Sequence, residues 1–85
     1  MLGRQVMLTG AAERDLDAVP EPDRARVLSA LRALRAGDPG LDLRKLSGSQ
    51  DRWRLRVGDG RVILRTESGG TVYVLRVLPR GRAYR

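Results

Sequence analysis

The sequence predicts an α+β fold in which two N-terminal antiparallel helices pack on a small, mainly antiparallel β-sheet. Apolar residues recur at helical spacing in the N-terminal half, and the period of the pattern changes to two after Gln50. The chain has 85 residues, enough for one hydrophobic core, so residues 1–85 are predicted to form a single domain.

Both predicted helices have recognisable start and stop signals. After a short strand over residues 3–8, the Thr9 side chain can cap a first helix, which Pro20 ends. A second helix is predicted to begin around Pro22, because proline is tolerated in a first turn and the adjacent acids suit the positive end of the helix dipole. Gly37 ends this helix. The apolar stripes are Ala12, Leu16 and Val19 in the first helix and Val27, Leu28, Leu31 and Leu34 in the second.

The C-terminal half predicts three strands joined by glycine-rich turns. The strands cover residues 52–57, 61–67 and 71–78, and the turns are Gly-Asp-Gly at 58–60 and Ser-Gly-Gly at 68–70. Residues 38–51 predict a loop that is anchored by three leucines: Leu41, Leu43 and Leu46.

Side-chain parity predicts the strand register and the two faces of the sheet. Pairing Val57 with Val62 and Thr66 with Thr71 collects the apolar residues on one face, and a slip of one residue would place arginines there. The predicted buried face holds Trp53, Leu55, Val57, Val62, Leu64, Thr66, Tyr73, Leu75 and Val77. The opposite face holds Arg54, Arg56, Arg65 and Arg76, with Arg61 beside the turn and with Ile63, Val72 and Val74.

The positive charge of the chain is concentrated in its second half. Residues 1–43 hold six arginines and seven acids, whereas residues 44–85 hold eleven basic residues and three acids. Sixteen of the seventeen basic residues are arginine, which an arginine-rich proteome would also explain, but such a bias does not explain the asymmetry. The asymmetry indicates a protein that binds a polyanion.

Arginine suits phosphate recognition because its planar guanidinium donates paired hydrogen bonds and stays charged. The alternative interpretation is that these arginines pair with Asp51, Asp59 and Glu67 or are simply solvated. Tyr84 is the aromatic residue for which no core position is predicted. It can anchor the C-terminal segment, stack on a base or carry a proton.

The composition excludes several other kinds of site. The chain has no cysteine and no histidine, so neither a disulfide nor the usual zinc site is expected, and no metal or cofactor is predicted. The first residues, MLGRQVML, lack the apolar core of a signal peptide, and no apolar run approaches a membrane span. A cytoplasmic protein without a membrane partner is therefore expected.

Five sequence elements follow one another along nearly the whole chain. A strand precedes an A-x-R-D-L-type helix, and a second amphipathic helix leads to a K-L-x-G element. A W-R-x-R-x-G-D-x-R-V hairpin and a closing V-x-x-V-x-x-R-x-x-Y-R pattern follow. The corresponding segments are AAERDLDAVP, Lys45 to Gly48, WRLRVGDGRV and, as an approximate match, VYVLRVLPRGRAYR. In this order, the elements resemble the RelE/ParE superfamily of type II toxin–antitoxin toxins.

The resemblance implies a RelE-like, ribosome-dependent endoribonuclease, an mRNA interferase that cuts mRNA in the ribosomal A site and blocks translation. It implies a cognate antitoxin as partner, and a larger toxin–antitoxin complex on operator DNA is a further expectation. By position, the implied catalytic residues are Arg54, Arg56, Arg61, Arg80 and Tyr84. The implied RNA contacts are Lys45, Arg65, Arg76, Arg82 and Arg85.

The sequence departs from the family pattern around the chemistry. Pro79 stands where many relatives carry histidine or lysine, and Arg54 and Arg56 stand where the ribosome-dependent branch carries lysine. Because arginine is a poor acid or base, the chemistry would depend on Tyr84. Two alternatives therefore stay open: a ParE-like, non-catalytic inhibitor of DNA gyrase, and an inactive toxin retained as an antitoxin-binding partner.

Overall fold

A computed structural model describes residues 5–78, which form two helices packed on one face of a five-stranded sheet. The predicted α+β class is confirmed. The helices are α1 (Gly10–Ala18) and α2 (Asp23–Ala36). The strands are β1 (Val6–Leu8), β2 (Leu43–Lys45), β3 (Arg52–Val57), β4 (Gly60–Thr66) and β5 (Val72–Leu78). Their order across the sheet is β1-β5-β4-β3-β2, with β1 parallel to β5 and all other neighbours antiparallel.

The helices begin and end where the sequence predicts. The Thr9 hydroxyl accepts a hydrogen bond from the Ala12 N–H at 3.2 Å, and Gly37 ends α2 in the left-handed conformation. The buried residues of the helices belong to the predicted stripes: Ala12, Leu16 and Val19 in and just after α1, and Val27, Leu31 and Leu34 in α2. They pack on Leu55, Val62, Leu64, Val72, Val74 and Val77 of the sheet. No helix within residues 5–78 is long and apolar enough to cross a membrane.

The β3–β4 hairpin has the predicted faces but a register that differs by two residues. Val57 pairs with Gly60 rather than with Val62, because the connection is a two-residue loop in which Gly58 has a positive φ of 58°. A shift of two residues preserves side-chain parity, so Leu55, Val62 and Leu64 are buried as predicted. The predicted register is wrong, whereas the predicted faces of these two strands are confirmed.

A β-bulge in β5 changes the predicted faces of that strand. Leu64 pairs with Val74 while its neighbour Ile63 pairs with Arg76, which leaves Leu75 as an extra residue. Val72 and Val74 are buried at 1% and 0% exposure, so their predicted place beside the arginines is wrong. Thr66 pairs with Val72 and not with Thr71, so the predicted register of β4 and β5 is also wrong. Tyr73 pairs with Arg65 on the opposite face, which corrects its predicted place in the core. Val77 is buried as predicted.

Strand β2 lies within the segment that the sequence predicts to be a loop. Its three residues pair with β3, and Leu43 is opposite the buried Leu55. Leu41 and Leu43 pack against the core, as expected of apolar anchors. The strand is too short to display a period of two, so the sequence pattern does not reveal it.

Thr9, just before α1, and Asp15 within it form hydrogen bonds with the edge of β5, at and after the last residue that pairs with β1. Strand β1 pairs only with residues 72–74, which leaves the backbone groups of the following residues without a neighbouring strand. The Thr9 hydroxyl lies 2.9 Å from the Val74 carbonyl oxygen and 3.2 Å from that of Leu75. The Asp15 carboxylate accepts a hydrogen bond from the Val77 N–H at 2.9 Å. The side chains of Thr9 and Asp15 therefore satisfy backbone groups of β5 that would otherwise pair with a further strand.

Asp15 also forms a two-pronged ion pair with Arg76. Its carboxylate oxygens accept hydrogen bonds from Arg76 Nε at 2.7 Å and from Nη2 at 3.0 Å. These hydrogen bonds lower the pKa of Asp15 below its ordinary value, against an opposing effect of partial burial, and the Val77 N–H lowers it further. Because the folded protein favours the ionised form, Asp15 stabilises the fold most at pH values above the pKa of an unfolded aspartate.

We expect Asp15→Asn to lower the free energy of unfolding at pH 7 by about 1–3 kcal/mol, through loss of the charge-assisted hydrogen bonds. The difference from the wild type should narrow as the pH falls below about 3.9, the ordinary aspartate pKa, because the wild-type carboxylate then also binds a proton. Urea unfolding followed by the fluorescence of Trp53 at pH 7 and at pH 3 measures both effects.

Asp17→Asn on the same helix is the matched control for the Asp15 experiment. Asp17 is 76% exposed and lies 3.5 Å from Arg24, so the same change of charge should alter stability by less than about 1 kcal/mol. Equal stability losses in the two variants would contradict the role assigned to Asp15.

Candidate functional site

The sheet surface opposite the helices carries seven arginines, and we call it the arginine face. Cross-strand partners lie on the same side of a sheet, so the register places these residues in three adjacent rows. The rows are Arg52–Arg65–Tyr73–Met7, Arg44–Arg54–Ile63–Arg76 and Arg56–Arg61–Leu78. Five of these arginines are predicted site residues: Arg54, Arg56, Arg61, Arg65 and Arg76. Arg44 and Arg52 are additional members, because the alternation of β3 extends to its first residue and β2 adds a neighbouring strand.

Asp42 is an acid at the β2 edge of the arginine face that contacts three of its arginines. Its Oδ1 lies 3.7 Å from Arg54 Nη2 and 3.9 Å from Arg44 Nε, and its Oδ2 lies 3.8 Å from Arg56 Nε. One half-exposed carboxylate thus contacts three guanidinium groups, and its single negative charge neutralises only part of their positive charge. Asp42 is not among the predicted site residues, because it precedes β2, a strand that the sequence pattern does not predict.

Arg54 is the least exposed of the three arginines around Asp42. Its side chain is 22% exposed, and its Nε is buried without a hydrogen-bond partner. A guanidinium that is partly withdrawn from water interacts more strongly with an anion than a fully hydrated one, and contact with a ligand is through its Nη groups because Nε is buried. Arg54 is therefore the strongest candidate on the arginine face for direct contact with a phosphate.

The other ion pairs of the arginine face involve acids at its periphery. Arg65 donates to Glu67 at 3.0 Å, Arg52 lies 3.9 Å from Asp51, and Arg76 is held by Asp15. The alternative interpretation, that arginines of this face pair with nearby acids, is thus correct for Arg52 and Arg65. Among the contacts described here, six arginines share four carboxylates, so positive charge remains in excess.

Arg65 also contacts an aromatic ring on the arginine face. Its guanidinium carbon lies 4.7 Å from the centroid of the half-buried Tyr73 ring, within the range of a cation–π contact. The alternating pattern of residues 71–78 predicts a core position for Tyr73, so it does not predict this pair.

The remaining predicted site residues lie elsewhere. Lys45 pairs with Trp53 in the row that leads to the buried Leu64, so it belongs to the helix-covered side of the sheet and not to the arginine face. Its Nζ lies 6.0 Å from the centroid of the Trp53 ring. Arg80, Arg82, Tyr84 and Arg85 lie outside the described residues, so their predicted roles stay predictions.

A cleft of about 140 Å³ opens at the end of the sheet beside Arg61. It lies between the start of α2 and the β3–β4 turn, with valine side chains as apolar walls and Asp23, Arg26 and Asp59 among its lining residues. Arg61 and Leu78 of the third row line this cleft, and its valines belong to the helix-covered side, so the cleft lies at the border between the two sides of the sheet.

Sequence comparison relates the chain to a toxin family. The family model described as the ParE toxin of the type II toxin–antitoxin system, parDE, matches residues 6–84. A search of curated proteins gives no significant match.

Solved structures of toxin–antitoxin complexes have the same fold. A chain of the RelB–RelE antitoxin–toxin complex from Methanococcus jannaschii is 26% identical with a TM-score of 0.78, covering 92% of this chain and 94% of that one. The archaeal RelE–RelB complex from Pyrococcus horikoshii matches at 26% identity and a TM-score of 0.75, covering 95% and 99%. The complex RelBE2 from Mycobacterium tuberculosis matches at 29% identity and 0.68, covering 94% of each chain.

The family model covers nearly the whole chain, and the similar structures reproduce both helices and the sheet. The resemblance that the sequence motifs predict is therefore confirmed, and the chain belongs to the RelE/ParE superfamily of type II toxin–antitoxin toxins.

Proposed function

We propose that this toxin is a ribosome-dependent endoribonuclease that binds mRNA on the arginine face and cleaves it in the ribosomal A site. The observation that carries the proposal is the juxtaposition of Arg54, Arg56 and Arg61 on two neighbouring strands, where Arg54 and Arg56 share the single carboxylate of Asp42 with Arg44. Arginine groups in this arrangement fit the paired oxygens of a phosphodiester.

The proposed reaction is attack of a ribose 2′-hydroxyl on the adjacent phosphorus. A bond forms between the 2′-oxygen and phosphorus, and the bond from phosphorus to the 5′-oxygen breaks. A base takes the proton of the 2′-hydroxyl, and an acid supplies one to the 5′-oxygen. Arg54, Arg56 and Arg61 would neutralise the charge that grows on the phosphate oxygens, but they cannot readily exchange protons.

Tyr84 is the proposed proton carrier, and Arg80 is the proposed fourth member of the phosphate clamp. A phenol can donate and accept a proton, which the guanidinium groups of the arginine face cannot do at ordinary pH. A site with so few proton-transfer groups would be slow by itself, so the ribosome is proposed to orient the scissile nucleotide.

A cognate antitoxin is the proposed protein partner, since the similar structures are complexes of a RelE toxin with RelB. The excess positive charge of the arginine face favours an acidic segment in that antitoxin. A complex of the two proteins on operator DNA and a cytoplasmic location are part of the same proposal.

Inhibition of DNA gyrase is a second candidate function, because the matching family model describes ParE toxins. Under this alternative the toxin binds its target without cutting a nucleic acid. An inactive toxin retained as an antitoxin-binding partner would neither cleave mRNA nor inhibit gyrase.

Primer extension on a defined mRNA held in programmed ribosomes separates these functions. New 5′ ends within the A-site codon, absent when ribosomes are left out, would support the proposal. An intact message together with inhibition of gyrase supercoiling would contradict it and favour the second candidate.

We expect Arg61→Ala to reduce ribosome-dependent cleavage by about 100-fold or more, through loss of a group that stabilises the transition-state charge. Arg61 is exposed at the rim of the sheet, so the fold should be retained. Arg32→Ala on the exposed side of α2 removes the same charge away from the arginine face and should leave cleavage nearly unchanged. Similar losses in the two variants would contradict the assignment of Arg61.

We expect Tyr84→Phe to lower the cleavage rate by about 100-fold or more while leaving the affinity for RNA unchanged, because the ring is kept and the exchangeable proton is lost. Single-turnover cleavage and RNA binding are measured on the same protein. Unchanged cleavage would contradict proton transfer by Tyr84 and leave stacking or anchoring as its role.

We expect Asp42→Asn to raise the affinity for a single-stranded RNA oligonucleotide several-fold and to steepen its dependence on salt, because the carboxylate competes with phosphate for three arginines. Fluorescence anisotropy at several salt concentrations measures both quantities. Asp17→Asn changes the net charge equally but lies on α1, and an equal gain in that control would show that net charge alone is responsible.

A further inference from the structure

The bulge in β5 gives the arginine face a feature that the sequence pattern hides, an aromatic ring among the arginines. Tyr73 lies in the row Arg52–Arg65–Tyr73–Met7, where each residue is the cross-strand partner of the next. It is half-buried, and Met7 beside it is 46% exposed, the exposed large hydrophobic residue of the described chain. An apolar and aromatic patch therefore borders the charged rows.

Arg65 is held in place at this patch from two directions. Its Nη1 donates to a Glu67 carboxylate oxygen at 3.0 Å, while its guanidinium carbon lies 4.7 Å from the centroid of the Tyr73 ring. Only 30% of the Arg65 side chain is exposed. The flat guanidinium and the ring thus form a preorganised pair, which reduces the entropy lost when a ligand binds.

We propose that the Arg65, Tyr73 and Met7 side chains form a stacking platform for a nucleobase of single-stranded RNA. The inference rests on the proposed function, because it names the part of the RNA that this end of the arginine face would contact. A flat base stacks on an aromatic ring or on a guanidinium plane, and a thioether adds a polarizable contact. The combination of a basic groove with an aromatic surface is typical of sites that bind single strands.

The position of the platform relative to the phosphate-binding arginines is consistent with one continuous strand. Arg52 and Arg54 are two residues apart on β3, so the row that holds the platform and the row that holds Arg54 are separated by about 7 Å. Tyr73 also lies two strands away from Arg54, which adds about 10 Å across the sheet, so the two residues are about 12 Å apart. A strand with a phosphate at Arg54 can place the base of a nearby nucleotide over the platform. Bases of a duplex are stacked and paired within the helix, so the platform selects single strands.

The alternative role of Tyr73 is purely structural. Tyrosine favours strands, and a cross-strand pair of Arg65 with Tyr73 stabilises the sheet whatever the ligand. The two roles differ in one measurable respect: only a stacking platform makes the affinity for RNA depend on the presence of a base.

The test uses the purified toxin with two single-stranded RNA oligonucleotides of equal length, one carrying 2-aminopurine and one carrying abasic positions. We expect the wild type to quench 2-aminopurine fluorescence and to bind the base-containing strand about fivefold or more tightly than the abasic strand. Tyr73→Leu should lose both the quenching and the preference. Tyr73→Phe, which keeps the ring, should retain them, and urea unfolding of each variant verifies the fold.

The possible outcomes separate the platform from the proposed function. A Tyr73→Leu variant that quenches and discriminates like the wild type would overturn the platform. Equal binding of both strands by the wild type would also overturn it, while binding of RNA phosphates by the arginine face would stand. Failure of the wild type to bind either strand would overturn the platform, whereas the proposed cleavage is tested separately by primer extension on programmed ribosomes.

Discussion

The hydrogen bonds that close the open half of β5 determine which side chains the sheet presents to the helices. Beyond residue 74 this strand has no strand neighbour on the β1 side, and Thr9 and Asp15 of the first helical segment satisfy its backbone groups instead. The same contacts surround Leu75, the extra residue of the bulge. Leu16 of α1 also packs on the sheet. The packing of one helix therefore determines both which groups cover the edge of β5 and which of its side chains face the core.

The bulge resolves a conflict within the sequence VYVLRVL. In a regular strand Arg76 would lie on the same face as Val72 and Val74, and burying an arginine without a partner is very costly. The extra residue turns Arg76 outward, where Asp15 binds it, and turns Val77 inward to the core. One irregularity thereby completes the hydrophobic core and the second row of the arginine face, so stability and the candidate site depend on the same local geometry.

Sequence reasoning succeeds for this chain wherever a regular period extends over a whole element. The helices, β3 and β4 have such periods, and their buried residues, among them Leu31, Leu55 and Leu64, are those that the patterns predict. It fails where geometry interrupts the period or where contacts join distant segments. The short β2, the bulge at Leu75 and the carboxylate of Asp42 among three arginines all depend on tertiary structure that no local pattern records. Because the bulge is not visible in the sequence, an unbroken alternation along β5 predicts the wrong face for Tyr73.

The arginines of the arginine face can bind an anion but cannot readily transfer protons, and this difference matters for both candidate functions. Guanidinium groups hold and neutralise an anion but are poor carriers of protons, so the described part of this face is suited to binding. Cleavage of RNA would require a proton carrier other than these arginines, for which Tyr84 is the proposed residue. Inhibition of gyrase would require only the surface. The same seven arginines are therefore compatible with either kind of toxin. A purely electrostatic surface binds an RNA strand equally well with and without its bases. A site whose affinity depends on single-stranded bases therefore distinguishes the RNA-directed alternative.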